Sequence, residues 1–245
     1  CVFETNEGRR CTHETRGECT NLNGEFHPGF LCSAPELGTL CTKTKRTKCE
    51  PGKNEVYFVD SCGNTANIYD AGKVEDIAYW SYLSGYQGVN VSVGDGRGNI
   101  NSRTNGYCSY LVGSVCGEAQ NIRPQFGEFI CRDLRCAASP LTQNTVRQHG
   151  ESWCSEPISN FENAKPGQIS YLLYCYNGEV QYELCDGARN SICLGNQTEK
   201  TAGCVVNRWG ECIFQNSSED CLDANARDCK IVYGASALRT SYGTA

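Results

Sequence analysis

The chain has 245 residues, among them 19 Cys, 26 Gly and no Met, and its 22 Lys and Arg against 28 Asp and Glu leave a net charge of −6. So many thiols without metal-type spacing exclude a reducing cytosol, and an acidic chain lacks the electrostatic footprint of a nucleic-acid binder. No run approaches the roughly eighteen apolar residues of a transmembrane segment.

Residues 1–50 hold six Cys and little apolar sequence, and are expected to form a cysteine-rich module of loops. The basic stretch Thr42 to Lys48 reads as a solvated face, and His13 and His27 as surface residues. Pro51-Gly52 marks the next boundary. Asn54 to Val59 then predicts a strand and Ser61 to Asn64 a turn. Val74, Ile77, Ala78 and Tyr82 recur at helical spacing and predict a short helix over Lys73–Leu83. Between Cys62 and Cys108 there is no Cys, so this β-rich module, 51–130, needs an ordinary core built on Tyr57, Phe58, Tyr69, Tyr79, Trp80 and Tyr82. Val89 to Val93 alternates as a strand does, and Gly94 to Asn101 is a glycine-rich loop.

Residues 131–245 form the third expected module. His149 to Cys154 reads as a turn whose Trp153 packs on a disulfide. Asn177-Gly178 between two aromatic and β-branched runs predicts a type I′ hairpin, with Cys175 and Cys185 on its arms. Ser217 or Ser218 followed by Glu-Asp suits the cap of a short helix. The tail from Ile231 has no Cys and is expected to be mobile or available to a neighbour. The fold class that follows is α+β, β-predominant and disulfide-rich, with short strands, hairpins and one or two short helices.

The cysteines have a rhythm. Cys11/Cys19, Cys41/Cys49, Cys108/Cys116, Cys185/Cys193, Cys204/Cys212 and Cys221/Cys229 are each separated by eight positions. A loop or hairpin bridged at its base is the natural reading, although neighbours can pair crosswise. Cys131, Cys136 and Cys175 complete the disulfide candidates in the second half. Nineteen is odd, so one thiol stays unpaired within the chain. Cys1, at the head of a chain with no initiator Met or apolar leader, is the expected leftover, bridged to another chain or to sequence beyond this segment, or lipid-modified; an inert buried thiol is the further alternative. Asn90, Asn196 and Asn216 head Asn-x-Ser/Thr triplets and are glycosylation candidates.

Chemistry is sparse. No C-x2-C occurs, which disfavours zinc ribbons, iron–sulfur clusters and attached haem, so neither metal nor cofactor is expected. His149-Gly150-Glu151-Ser152-Trp153-Cys154 is not a nucleophile elbow, because Cys154 stands where the second Gly belongs. No catalytic residue stands out, and the expectation is that this is not an enzyme.

Three stretches carry a resemblance. They are Pro51 to Asn64 with Ala66 to Asp70 and Tyr79-Trp80, Ile130 to Cys136 with His149 to Cys154, and Asn207 to Cys212 with Glu219 to Cys221 and Arg227 to Cys229; Asp186 to Cys193 matches in part. Over residues 50–230 the chain resembles the uncharacterised cysteine-rich exported proteins of small-genome archaea of the DPANN group. The resemblance implies a secreted or surface location and a disulfide-stapled, β-rich build, and carries over no catalytic residue. The leading expectation is a self-associating structural subunit of an extracellular or cell-surface assembly, filament or sheath-like. The alternative is a surface-displayed adhesin that binds host or neighbouring cell-surface glycans.

Overall fold

The computed structural model describes residues 1–84, 98–155, 169–186, 191–196, 198–206, 209–223, 229–232 and 240–243. The expected strand at Val89–Val93, most of the glycine-rich loop and Asn90 lie outside them. The chain divides into two compact units, Cys1–Leu134 and Arg135–Ala245. The expected boundary near residue 130 falls close to this division. The one at residue 50 does not exist, because the bridges Cys41–Cys62 and Cys49–Cys116 and a strand ladder run straight across it.

In the first unit, β1 (Val2–Thr5) and β2 (Gly8–Cys11) form a hairpin, followed by α1 (Arg16–Asn21). Thr15 and Glu18 close a reciprocal capping box on α1, satisfying backbone donors that a six-residue helix would otherwise leave bare. β3 (Arg46–Cys49), β4 (Val56–Val59) and β5 (Thr65–Ile68) make an antiparallel sheet, and β6 (Ser114–Glu118) pairs with β7 (Phe129–Asp133). Alternation along β4 buries Val56 and Phe58 on one face and leaves Tyr57 half-buried on the other. The buried face carries the core: the Phe58 ring lies 5.3 Å from Tyr69, 6.4 Å from Tyr79 and 5.1 Å from Trp80.

The helix expected over Lys73–Leu83 is shorter than its pattern. A 3-10 turn at Ala71–Lys73 precedes α2 (Ile77–Ser81), which starts only where Asp76 accepts from the Ala78 amide, 3.0 Å away. Ile77 is therefore 63% exposed and Tyr79 and Trp80 fill the core instead. Trp80 Nε1–H donates to the Val74 carbonyl (3.0 Å), so the buried indole keeps its hydrogen bond.

The second unit is built on the antiparallel sheet β8 (Ser152–Cys154), β9 (Ser170–Tyr176) and β10 (Glu179–Cys185), in order β10-β9-β8. The expected Asn177-Gly178 turn is there, both residues with positive φ. Trp153 packs with Leu173 on the Cys136–Cys175 bridge, and the Arg147 guanidinium lies 4.7 Å over its ring. β11 (Ser191–Asn196) pairs with β12 (Thr201–Val206). α3 (Trp209–Ile213) and α4 (Ser218–Cys221) follow, α4 capped by Ser217. The tail is not simply unattached: β14 (Thr240–Gly243) folds back onto β13 (Cys229–Val232). The whole is strand-rich, with small sheets and four short helices among the described residues, the α+β disulfide-rich fold the composition implies.

Nine bridges close, all within a unit: Cys1–Cys19, Cys11–Cys32, Cys41–Cys62, Cys49–Cys116 and Cys108–Cys131 in the first, and Cys136–Cys175, Cys154–Cys193, Cys185–Cys204 and Cys212–Cys229 in the second. None joins the two members of a C-x7-C pair. Cys116 and Cys131 stand directly opposite on the β6/β7 ladder, as do Cys193 and Cys204 on β11/β12, yet each bonds a third segment. Backbone hydrogen bonds already join such strands, so a bridge to a distant segment closes a longer loop and restricts the unfolded chain more.

Cys1 is not the leftover thiol. The Thr12 amide donates to its carbonyl, Val2 pairs with Glu25, and the Gly24 amide donates to the Cys19 carbonyl, which together set Cys1 against Cys19. The free thiol is Cys221, buried on α4 beside a Cys212–Cys229 pair already closed.

Candidate functional site

The first unit carries a cleft of about 570 Å³, large enough for a small organic ligand. Its lining includes Tyr57, Thr65 and Ala66 from β4 and β5 and, from the N-terminal loops, His13 to Thr15 and Phe26 to Phe30. Cys1, Cys11 and Cys32 also line it, so two disulfides fix the loops that shape it. A sheet face and cross-linked loops make a preformed site rather than one that must order on binding.

Phe26, His27 and Phe30 are on the lining. The His27 and Phe30 rings meet edge to face at 6.1 Å, and Phe30 packs on Tyr82 at 4.7 Å. Phe26 stands nearby with the Arg16 guanidinium 5.3 Å over its ring. His27 Nε2 lies 3.4 Å from a Glu25 carboxylate oxygen.

Polar groups also line the cleft. Glu50, just beyond β3, accepts from Thr65 Oγ1 at 2.5 Å and sits 2.9 Å from Lys48 Nζ. The Thr65 hydroxyl and then the Lys48 ammonium hold its carboxyl below the usual carboxylate range. The Tyr57 hydroxyl donates to Glu55 at 3.0 Å, and burial together with that carboxylate pushes its ionisation far above the ordinary phenol value. His13 is exposed at the rim, yet the protein packed around it disfavours the imidazolium and outweighs the opposing pull of Asp60, so its pKa lies below the ordinary histidine value. At neutral pH the cleft thus presents a neutral His13, a protonated Tyr57 and the carboxylates of Glu14, Glu18 and Glu50, with Lys53 as a cation on its lining.

Among the described residues, one group of metal-type ligands converges: Cys41, Asp60 and Cys62. Cys41 and Cys62 are bonded to each other, and Asp60 accepts from the amides of Cys62 (2.9 Å) and Asn64 (2.8 Å), so this cluster is a structural corner rather than an ion site. Glu151 is buried, accepts from Arg147 (2.7 Å) and from the Gln148 amide (2.8 Å), and so anchors a turn. Of the glycosylation candidates, Asn196 is exposed at the end of β11, with its side-chain oxygen accepting from the amides of Thr198 and Glu199, and Asn216 is exposed just ahead of α4. No described helix is long and apolar enough to cross a membrane.

The chain matches no protein-family model, no curated protein and no solved structure. Function therefore rests on the site. Sequence reasoning placed His13 and His27 at the surface but did not bring them to one cleft. The available signal was that two of only three His fall in the first fifty residues, the second flanked by Phe26 and Phe30.

Proposed function

We propose that this is an extracellular binding module whose first unit holds a neutral glycan, in keeping with the adhesin reading of the sequence. The observation that carries it is the cleft of about 570 Å³ whose lining combines Phe26 and Phe30 with His13, His27, Glu14, Glu18 and Glu50. Aromatic rings suit the C–H surface of a sugar, and carboxylates and a neutral His13 imidazole accept from its hydroxyls. The excess of Glu over Lys on the lining disfavours an anionic glycan. Nine disulfides fit an oxidising compartment outside the cytoplasm, where such a ligand is met.

The structural-subunit reading loses two of its supports. Cys1 is bonded within the chain and cannot link neighbours, and part of the tail already pairs with β13.

The test is equilibrium binding of the purified chain to a panel of neutral gluco-, manno- and galacto-oligosaccharides and their sialylated or sulfated counterparts. A neutral member is expected to bind. Glu50→Gln and His27→Ala are each expected to weaken it about tenfold, the effect of losing one hydrogen bond to a charged or strongly polar group. Absence of neutral binding, or affinity untouched by both substitutions, overturns the proposal.

A further inference from the structure

β10 is an edge strand that pairs with β9 and with no other strand among the described residues. The direction of its backbone groups follows from its neighbours. On β9, the Tyr171 carbonyl accepts from Ser155, and Cys175 exchanges bonds with Gly150 and Glu151, so the odd residues of β9 face β8. Their partners across the β9/β10 ladder are Leu184, Tyr182 and Val180. In an antiparallel pair those positions do not bond each other, so the amides and carbonyls of Val180, Tyr182 and Leu184 point away from β9. The Leu184 carbonyl accepts from Asp186 and keeps a second lone pair.

Of the devices that normally blunt such an edge, β10 carries only the charges of Glu179 and Glu183. The ladder runs from Glu179 to Cys185 without a bulge, and the strand contains no Pro and no Lys. Tyr182 is 72% exposed and Leu184 45% exposed, with the Tyr171 ring 6.2 Å from Tyr182 on the same face.

From this we propose that β10 pairs with β10 of a second copy of this chain, antiparallel about a two-fold axis through Tyr182. The strand is self-complementary in that register. Tyr182 meets its own counterpart, Val180 meets Leu184, and Gln181 meets Glu183, an amide against a carboxylate. Sliding by two residues one way sets Glu179 against Glu183, and the other way sets Glu183 against itself. Like charges directly opposite are destabilising, so both neighbouring registers are disfavoured. The two-fold closes the assembly at two chains rather than an open filament. A dimer carries two clefts, and a surface bearing several copies of a ligand is then held with avidity. The pairing itself rests on the second unit alone and stands or falls apart from the glycan reading.

Sedimentation of the full oxidised chain, up to about 100 µM, where a complex of 10 µM Kd is mostly assembled, is expected to show twice the monomer mass. Tyr182→Lys and Tyr182→Glu are each expected to give monomers, since each places like charges at the axis. Mixed in equal amounts they are expected to restore the dimer, a recovery that misfolded chains would not give. A monomeric wild type at every concentration, a dimer indifferent to Tyr182→Lys, or monomers that stay apart on mixing each overturns the proposal.

Discussion

Replacing Cys49 and Cys116 by Ala removes the bridge with the longest sequence separation, 67 residues, which joins β3 to β6. On the chain-entropy account such a loop contributes about 4 kcal/mol at 25 °C. Cys1–Cys19, separated by 18, contributes about 3 kcal/mol on the same account. The readout is native-state hydrogen exchange of the peptide covering β4, whose Val56 and Phe58 are fully buried in the first unit's core. Loss of Cys49–Cys116 is expected to lower its protection about a thousandfold, and loss of Cys1–Cys19 about fivefold less severely. The same measurement on β9 gives an internal reference, because every bridge closes within one unit. Equal losses in β4 and β9, or a smaller loss for the longer loop than for the shorter, would refute the reasoning.

Other outcomes follow from single contacts. Glu151→Ala leaves the mostly buried Arg147 without its carboxylate and is expected to cost about 3–5 kcal/mol in denaturant titration. Gly127→Ala puts a methyl 2.0 Å from Thr47 Oγ1 at a residue with φ +71, and is expected to lower the melting midpoint by several degrees. One thiol per chain, Cys221, should resist alkylation in the native protein and react in denaturant, and Cys221→Ala should leave the chain's non-reducing gel position unchanged. Because the folded pKa of His13 lies below that of the unfolded chain, the unfolded chain takes up the proton first as pH falls below about 6.5. Stability is therefore expected to decline through that window toward the folded pKa, and His13→Gln should flatten the decline in urea titrations between pH 7 and 5.

Much of the local structure was legible because short-range rules decide it. Asn177-Gly178 specified its turn, Ser217 its helix cap, and the alternation at Val56–Val59 its strand. The Lys73–Leu83 helix was misread in extent, since the Asp76 cap outweighed a stripe that included the exposed Ile77. Disulfide partners were illegible because the eightfold spacing is a local regularity, whereas pairing answers to which distant segments meet. Cys1 looked free by position alone, and only the β1/β2 hairpin and the α1 loop bring Cys19 to it. The cleft was hidden for the same reason: Tyr57 and Thr65 belong to one sheet and Glu50 follows its first strand, while His13 and His27 arrive from loops held by sulfur.

The binding claim is tested most directly by the imidazole resonances of the chain, which has only three His. The measurement is a titration with the tightest neutral oligosaccharide of the panel, followed by NMR. The rings of His13 and His27 are expected to shift together with one saturating curve, while His149, in the second unit, stays in place. Saturable binding that moves His149, or that leaves His13 and His27 unmoved, would contradict a glycan site in this cleft.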